Sequence, residues 1–195
     1  MTKFSLIILI IFLCICTYLG LAVSAKPLLQ VAFLNVPKGD AILITSPEGN
    51  RVLIDGGPDK SVLPALGREM SFYEHSIDLV LATSQKSSDI GGLPFVFDRF
   101  NVGAFVNSGS ISSATYRDIE DDITEKNIPE ISVKIGDEID IGDRTKFVIL
   151  SSGAEITGKI IYGETEISFP ADIPAFASST NDIVFESDGV NIWKK

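Results

Sequence analysis

Histidine and cysteine are nearly absent from this chain of 195 residues, and their scarcity excludes several kinds of metal site. There is one histidine, His75, and the two cysteines, Cys14 and Cys16, both lie near the amino terminus. A site built from several imidazoles is therefore excluded, and no disulfide or thiolate site is available after residue 16. His75 belongs to no motif, and we expect it to be an ordinary surface or half-buried histidine.

Basic residues are also few. The chain has 16 Lys and Arg against 26 Asp and Glu, a net charge of −10, and an isoelectric point near 4.5. An acidic surface repels phosphate backbones, so we expect no direct nucleic-acid binding. The sequence also contains no phosphate-binding glycine loop and no GxSxG nucleophile elbow. Its 45% hydrophobic and 22% charged residues are typical of a globular protein, and its length suits one domain.

The amino-terminal segment has the features of a targeting element. Residues 4–23, FSLIILIIFLCICTYLGLAV, carry no charge and follow Lys3. Small residues at 23–25 precede Lys26, as they would at a signal-peptidase site. The apolar run also has about the 20 residues that span a bilayer. We therefore predict that residues 1–25 are a signal peptide or a membrane anchor, and that residues 26–195 form an exported domain.

Beyond this segment, strand-like and helix-like patterns alternate. The spacing predicts early strands at 29–35, 41–46, 52–54, 77–82 and 102–106. It predicts a helix capped by Ser61, a helix over 93–100 and a helix from Ser112 to Asn127. The outer face of the last helix is acidic, and we expect it to be solvated. After residue 130 only strand-like runs occur, at 131–135, 145–150, 159–162, 165–169, 182–186 and 190–193. This order predicts an α/β sandwich.

Several segments then resemble one family. Residues 33–41, FLNVPKGDA, resemble the FLDVGQGDA opening of the metallo-β-lactamase-like domain in ComEC-type DNA-uptake proteins, and residues 52–57, VLIDGG, resemble its LIDGG turn. Residues 81–83 and 90–93 bracket the position of its metal motif, THPDADHIGGL. Residues 183–189 resemble its last strand pair. The order and spacing of these segments indicate the family more strongly than any one of them alone.

The resemblance implies a hydrolase site whose ligands are missing. In that family, imidazoles and carboxylates hold one or two zinc or manganese ions, which activate water for attack on an ester. The motif H-x-D-x-D-H falls on Ser84, Lys86, Ser88 and Asp89. The serines are weak ligands, and Lys86 puts a fixed positive charge where a carboxylate belongs. The family's later histidine-bearing loop has no counterpart, and Asp172 matches its last aspartate poorly. We therefore expect neither bound metal nor catalytic residues.

The family's glycine turn is retained as Asp55, Gly56 and Gly57. For Asp55 we expect a side-chain cap on backbone N–H groups of the turn. An oxygen-only site for a hard cation, made by Asp55, Asp89 and Asp172, is the weaker alternative, because such ions typically need about six oxygen ligands. The positive charge of Lys86 also opposes it.

The resemblance implies an α/β fold, a partial αββα sandwich shortened in its second half and preceded by a hydrophobic helix. We expect a metal-free pseudoenzyme, exported or membrane-anchored, that binds or scaffolds. The alternatives are a metal-dependent hydrolase or nuclease linked to DNA uptake, and a remnant without function. With so little helix in the second half, the strands at 147–150 and 160–162 are expected to lack cover on one face. That surface would favour self-association or a membrane-protein partner, which the sequence does not identify.

Overall fold

The computed structural model of the protein describes residues 3–23, 28–107, 113–142, 144–152, 155–169 and 182–195. The helices in these residues are α1 (Lys3–Val23), α2 (Val62–Glu69), α3 (Ser87–Ile90), α4 (Leu93–Arg99) and α5 (Ala114–Lys126). The strands are β1 (Leu29–Phe33), β2 (Ile42–Thr45), β3 (Arg51–Ile54), β4 (Ser76–Leu81), β5 (Asn101–Asn107), β6 (Glu130–Ser132), β7 (Glu138–Gly142), β8 (Thr145–Ser151), β9 (Thr157–Tyr162), β10 (Thr165–Phe169), β11 (Ile183–Ser187) and β12 (Ile192–Lys194).

Eight strands form the first sheet, in the order β12-β11-β1-β2-β3-β4-β5-β6. The strands from β3 to β6 are parallel, and the other neighbours are antiparallel. Parallel strands are normally covered on both faces, which explains the buried apolar run Leu79, Val80 and Leu81 at the end of β4. The carboxyl ends of β3 and β4 meet at one edge of this sheet. That edge carries the loops of the candidate site.

Helices α2, α4 and α5 cover one face of the first sheet. The buried side chains of α4 are Leu93, Val96 and Phe97, as the helical spacing predicts, and Phe100 packs partly buried beside them. The α5 stripe buries Tyr116, Ile119 and Ile123, again as predicted. These side chains meet the inner residues of β1 to β5 in one continuous core.

The second sheet covers the opposite face. It has four antiparallel strands in the order β10-β9-β8-β7, and its side chains Phe147, Ile149, Ile160 and Tyr162 are buried against the first sheet. The expectation that β8 and β9 lack cover on one face holds for their outer face, where Leu150 is 47% exposed, whereas the four inner side chains are covered. Burying each such side chain stabilises the fold by about 1.5–3 kcal/mol. After Lys126 the described residues contain no helix, so the second sheet has no outer helical layer in that part of the chain.

The last two strands return to the first sheet, where β11 pairs with β1. Asp182, at the start of β11, accepts hydrogen bonds from the backbone N–H of Asn35 (2.5 Å) and from Arg68 Nε and Nη2 (2.5 and 2.8 Å). The hydroxyls of Thr165 and Ser187 are buried 3.0 Å apart, which links the second sheet to β11. The carboxyl-terminal strands thus contact a helix and both sheets.

Some predicted element boundaries need correction. The cap of α5 is Ser113, whose hydroxyl accepts the backbone N–H of Tyr116, and the helix begins at Ala114. Ser61 makes no side-chain cap on α2, and Asp59 instead accepts its backbone N–H (2.8 Å). Strand β7 was not predicted, because its sequence EIDIG has few apolar residues. The acidic face of α5 is solvated as predicted, with Asp118, Glu120, Asp121 and Glu125 exposed and Asp122 partly exposed.

The predicted targeting segment contains helix α1. Among the helices in the described part of the chain, none has the combination of length and apolar character that a membrane crossing requires. Residues 24–27, which include most of the predicted cleavage site, lie outside the described residues.

Candidate functional site

The three motif segments of the sequence converge at the carboxyl edge of β3 and β4. Their backbones are joined directly: the N–H of Gly56 donates to the carbonyl of Asp89 (2.7 Å), and the N–H of Gly57 donates to that of Asp40 (3.0 Å). In turn, the N–H of Gly92 donates to the carbonyl of Gly57 (2.8 Å). The structure therefore brings together the opening segment (residues 33–41), the glycine turn (residues 52–57) and the degenerate metal motif (residues 84–89).

Two glycines of these segments are required by close backbone approach. A β-carbon on Gly39 would collide with the carbonyl oxygen of Ser88, and one on Gly92 would collide with that of Gly56. Real β-carbons do not tolerate such contacts, so the segments pack this closely only because side chains are absent. Close backbone packing thus explains the glycines at positions 39 and 92.

Asp55 is buried and caps a neighbouring loop. Thr83 donates its backbone N–H to Asp55 Oδ1 (2.8 Å) and its hydroxyl to Oδ2 (2.5 Å). Asp55 does accept a backbone N–H, as predicted. That N–H belongs to the loop after β4, however, and not to the turn that contains Asp55. Burial is the main reason that the pKa of Asp55 is raised to about 8; the Thr83 hydrogen bonds oppose this shift, and the charges of Asp89 and Asp40 add to it. Asp55 is therefore largely protonated at neutral pH.

The four positions of the degenerate metal motif, Ser84, Lys86, Ser88 and Asp89, lie together and are linked by hydrogen bonds. Ser84 and Ser88 donate their hydroxyls to the two oxygens of Asp89, at 2.5 and 2.7 Å. Ser84 Oγ also accepts the backbone N–H of Lys86 (3.1 Å). The Lys86 ammonium forms an ion pair with Glu155, and this hydrogen-bonded partner raises its pKa.

Glu155 comes from the connection between β8 and β9, 69 residues beyond Lys86. Its backbone forms a bridge with Ser84, and the N–H of Ile156 donates to the carbonyl of Thr83 (2.6 Å). The second sheet is thereby fixed to the loop after β4. Between them lies a cleft of about 170 Å³, and its lining residues are Asp40, Ile42, Ile54, Asp55, Thr83, Ser84, Lys86, Asp89, Glu155 and Ile156.

These side chains do not fit the divalent ions of the family. Both oxygens of Asp55 are occupied by Thr83, and both oxygens of Asp89 accept serine hydroxyls. Lys86 adds a positive charge that would repel a metal ion. In the part of the chain that the structure describes, no group of three His, Cys, Asp or Glu side chains is arranged to hold an ion.

The remaining predicted residues lie elsewhere, and some cleft residues were missed. His75 is exposed on the loop before β4, away from the residues that line the cleft. Asp172 lies outside the described residues, so its proposed match is not addressed. Asp40, Thr83 and Glu155 line the cleft without having been singled out. The first two are part of the resembling segments, whereas no feature of the sequence marks Glu155.

Comparisons with known proteins agree with this architecture. No family profile and no curated protein matches the chain. A solved B3 metallo-β-lactamase with an active-site glutamic acid has 17% identity and a TM-score of 0.50, over 70% of this chain and 57% of that one.

Two further solved structures are similar at a lower score. The Rm3 metallo-β-lactamase has 15% identity and a TM-score of 0.48, over 70% of this chain and 56% of that one. An archaeal metallo-β-lactamase superfamily protein from Sulfolobus tokodaii has 14% identity and a TM-score of 0.48, over 67% of this chain and 59% of that one. The chain thus spans less than two thirds of each of these structures. At these identities the likeness concerns the fold alone, and that fold is the one of the metallo-β-lactamase superfamily.

Proposed function

We propose that this chain is an exported, metal-free relative of ComEC-type metallo-β-lactamase-like domains, which binds or scaffolds at the outer face of the cytoplasmic membrane and does not hydrolyse esters. One observation carries the proposal: the cleft at the family's metal position holds the Lys86–Glu155 ion pair and a closed set of hydroxyl–carboxylate hydrogen bonds. Metal-assisted hydrolysis needs side-chain ligands that are free to coordinate the ion, and the carboxyl oxygens of Asp55 and Asp89 are engaged in hydrogen bonds instead.

The ComEC-type assignment is supported by the order of the retained segments. The opening segment, the glycine turn and the Gly91-Gly92 turn make the backbone contacts described above, so the retained residues are those that build the loops. Three of the four altered positions, Ser84, Lys86 and Asp89, line the cleft. A binding domain needs the loops but not the metal, and this division matches such a role.

The absence of hydrolysis is tested on the purified full chain. Phosphodiester, β-lactam and nuclease substrates are supplied with zinc or manganese, with and without a chelator, and a metal-loaded metallo-β-lactamase serves as the positive control. We expect the same background rate for the wild type and for Ser84→Ala. A chelator-sensitive rate that Ser84→Ala lowers would establish the hydrolase alternative and refute the proposal.

Export is tested separately. Alkaline phosphatase matures only outside the cytoplasm, so its fusion after Lys195 should be active. Deleting residues 1–25 from the same fusion is the matched control and should abolish that activity. An inactive fusion that accumulates to the normal level would refute export. Retention of the mature chain in the membrane fraction after an alkaline wash would distinguish an anchor from a cleaved signal.

A further inference from the structure

The cleft is unusual in its balance of charges. Four of its lining residues carry carboxyl groups, and they are Asp40, Asp55, Asp89 and Glu155. Among the described residues that line it, Lys86 is the one cation. Carboxyl groups at this spacing repel one another: Asp89 raises the pKa of both Asp40 and Asp55, although burial is the larger cause for each. A positive charge in the cleft offsets this repulsion.

Lys86 is placed to supply that charge. Its ammonium pairs with Glu155, and it is also attracted to Asp89; both carboxylates raise its pKa. Its backbone N–H is held by Ser84 Oγ, and the backbone of Glu155 is fixed by the bridge to Ser84. Both ends of the ion pair are therefore positioned by one residue, although the side chains themselves are half exposed.

We propose that the Lys86 ammonium is a tethered cation that takes the electrostatic place of a metal ion in this cleft and excludes divalent ions from it. This inference rests on the proposed absence of a bound metal. It adds that Lys86, and not only the loss of histidines, keeps the cleft free of metal. The mechanism is competition: oxygen ligands that would attract a hard cation already surround a positive charge that cannot dissociate.

Two variants distinguish the effect of the positive charge from the effect of the ion pair. Lys86→Gln and Glu155→Gln both break the Lys86–Glu155 contact, but only Lys86→Gln removes the positive charge. Carboxylate oxygens suit Mn²⁺. We therefore expect Lys86→Gln to bind Mn²⁺ at least about tenfold more tightly than the wild type, because the charges of Asp40, Asp89 and Glu155 then attract the ion with no ammonium beside them. Glu155→Gln, which keeps the ammonium and loses one carboxylate, should show no gain.

The measurement is the loss of the free Mn²⁺ electron paramagnetic resonance signal on titration of the full chain at fixed ionic strength. Equal affinities for Lys86→Gln and the wild type would overturn the inference, and so would an equal gain in Glu155→Gln. Stoichiometric Mn²⁺ binding by the wild type would instead refute the proposed absence of metal, on which this inference rests. If Lys86→Gln does not unfold cooperatively, Lys86→Met is used. Restoration of its melting transition by Mn²⁺ then supports the inference, and failure to restore it counts against it.

Discussion

Thr83 holds both carboxyl oxygens of Asp55, one through its backbone N–H and the other through its hydroxyl. The contact joins the turn after β3 to the loop after β4, and Asp55 adopts a left-handed backbone conformation (φ 58°) to make it. Aspartate tolerates this conformation better than most residues. The retained aspartate of the family turn thus has a structural task in this chain that needs no metal.

The pKa of Asp55 predicts how stability depends on pH. The carboxyl titrates near 3.8 when unfolded and near 8 when folded, so between these values the folded state binds more protons. The free energy of unfolding should therefore fall as pH rises from about 4 to about 8, by at most about 1.4 kcal/mol per pH unit from this group. Asp55→Asn mimics the protonated side chain and should remove this part of the slope.

The measurement is urea unfolding of the wild type and Asp55→Asn at several pH values between 5 and 9. The variant should gain stability relative to the wild type as pH rises from 5 to about 8, and the difference should then level off. Parallel profiles would show that Asp55 is ionised throughout this range in the folded protein.

Gly92 is expected to tolerate no side chain. A β-carbon there meets the carbonyl oxygens of Gly56 and Asp59, so Gly92→Ala should destabilise the protein by about 1–3 kcal/mol through overpacking. Gly67→Ala is the matched control, because Gly67 lies within α2 and a β-carbon there meets nothing within 4 Å. Alanine favours a helix over glycine, so the control should gain up to about 1 kcal/mol. A neutral Gly92→Ala in thermal unfolding would contradict the packing described.

The ion pair of Asp182 should matter more than the exposed pairs. Burial tends to raise the pKa of Asp182, but the hydrogen bonds of Arg68 and Asn35 lower it overall. Asp182→Asn should cost about 1–3 kcal/mol near neutral pH, because Asp182 is 4% exposed and the hydrogen bonds to its charge are weakened. Its lowered pKa means that this stability is present above about pH 4 and is lost in more acid solution.

Glu138→Gln is the control for that variant, because Glu138 and its partner Lys146 are both about half exposed. Such a pair contributes about 0–1 kcal/mol. Equal losses in chemical unfolding of the two variants would show that Asp182 does not secure β11.

Restoring the motif alone should not restore catalysis. The combined variant Ser84→His, Lys86→Asp, Ser88→Asp and Asp89→His recreates the family's H-x-D-x-D-H sequence. The later histidine-bearing loop is still missing, and an incomplete ligand set holds metal poorly. We expect no hydrolysis above the background rate in the presence of zinc or manganese. Turnover that a chelator abolishes would show that the cleft lacked only these four side chains.

Much of the first sheet and its helices was predictable, because their apolar spacing is regular. The stripe on α5 and the buried face of α4 follow directly from it. The cover of β8 and β9 was not predictable, since it depends on the second sheet packing against distant strands. The ion pair between Lys86 and Glu155 was missed for the same reason: no local pattern marks a contact between residues so far apart in sequence.

Metal content is the most direct test of the central claim. The full chain is purified, incubated with zinc and manganese, desalted and analysed by inductively coupled plasma mass spectrometry, with a metallo-β-lactamase treated in parallel. We predict that this chain retains far less than one ion per molecule while the control retains its metal. One or two ions retained per chain would contradict the account.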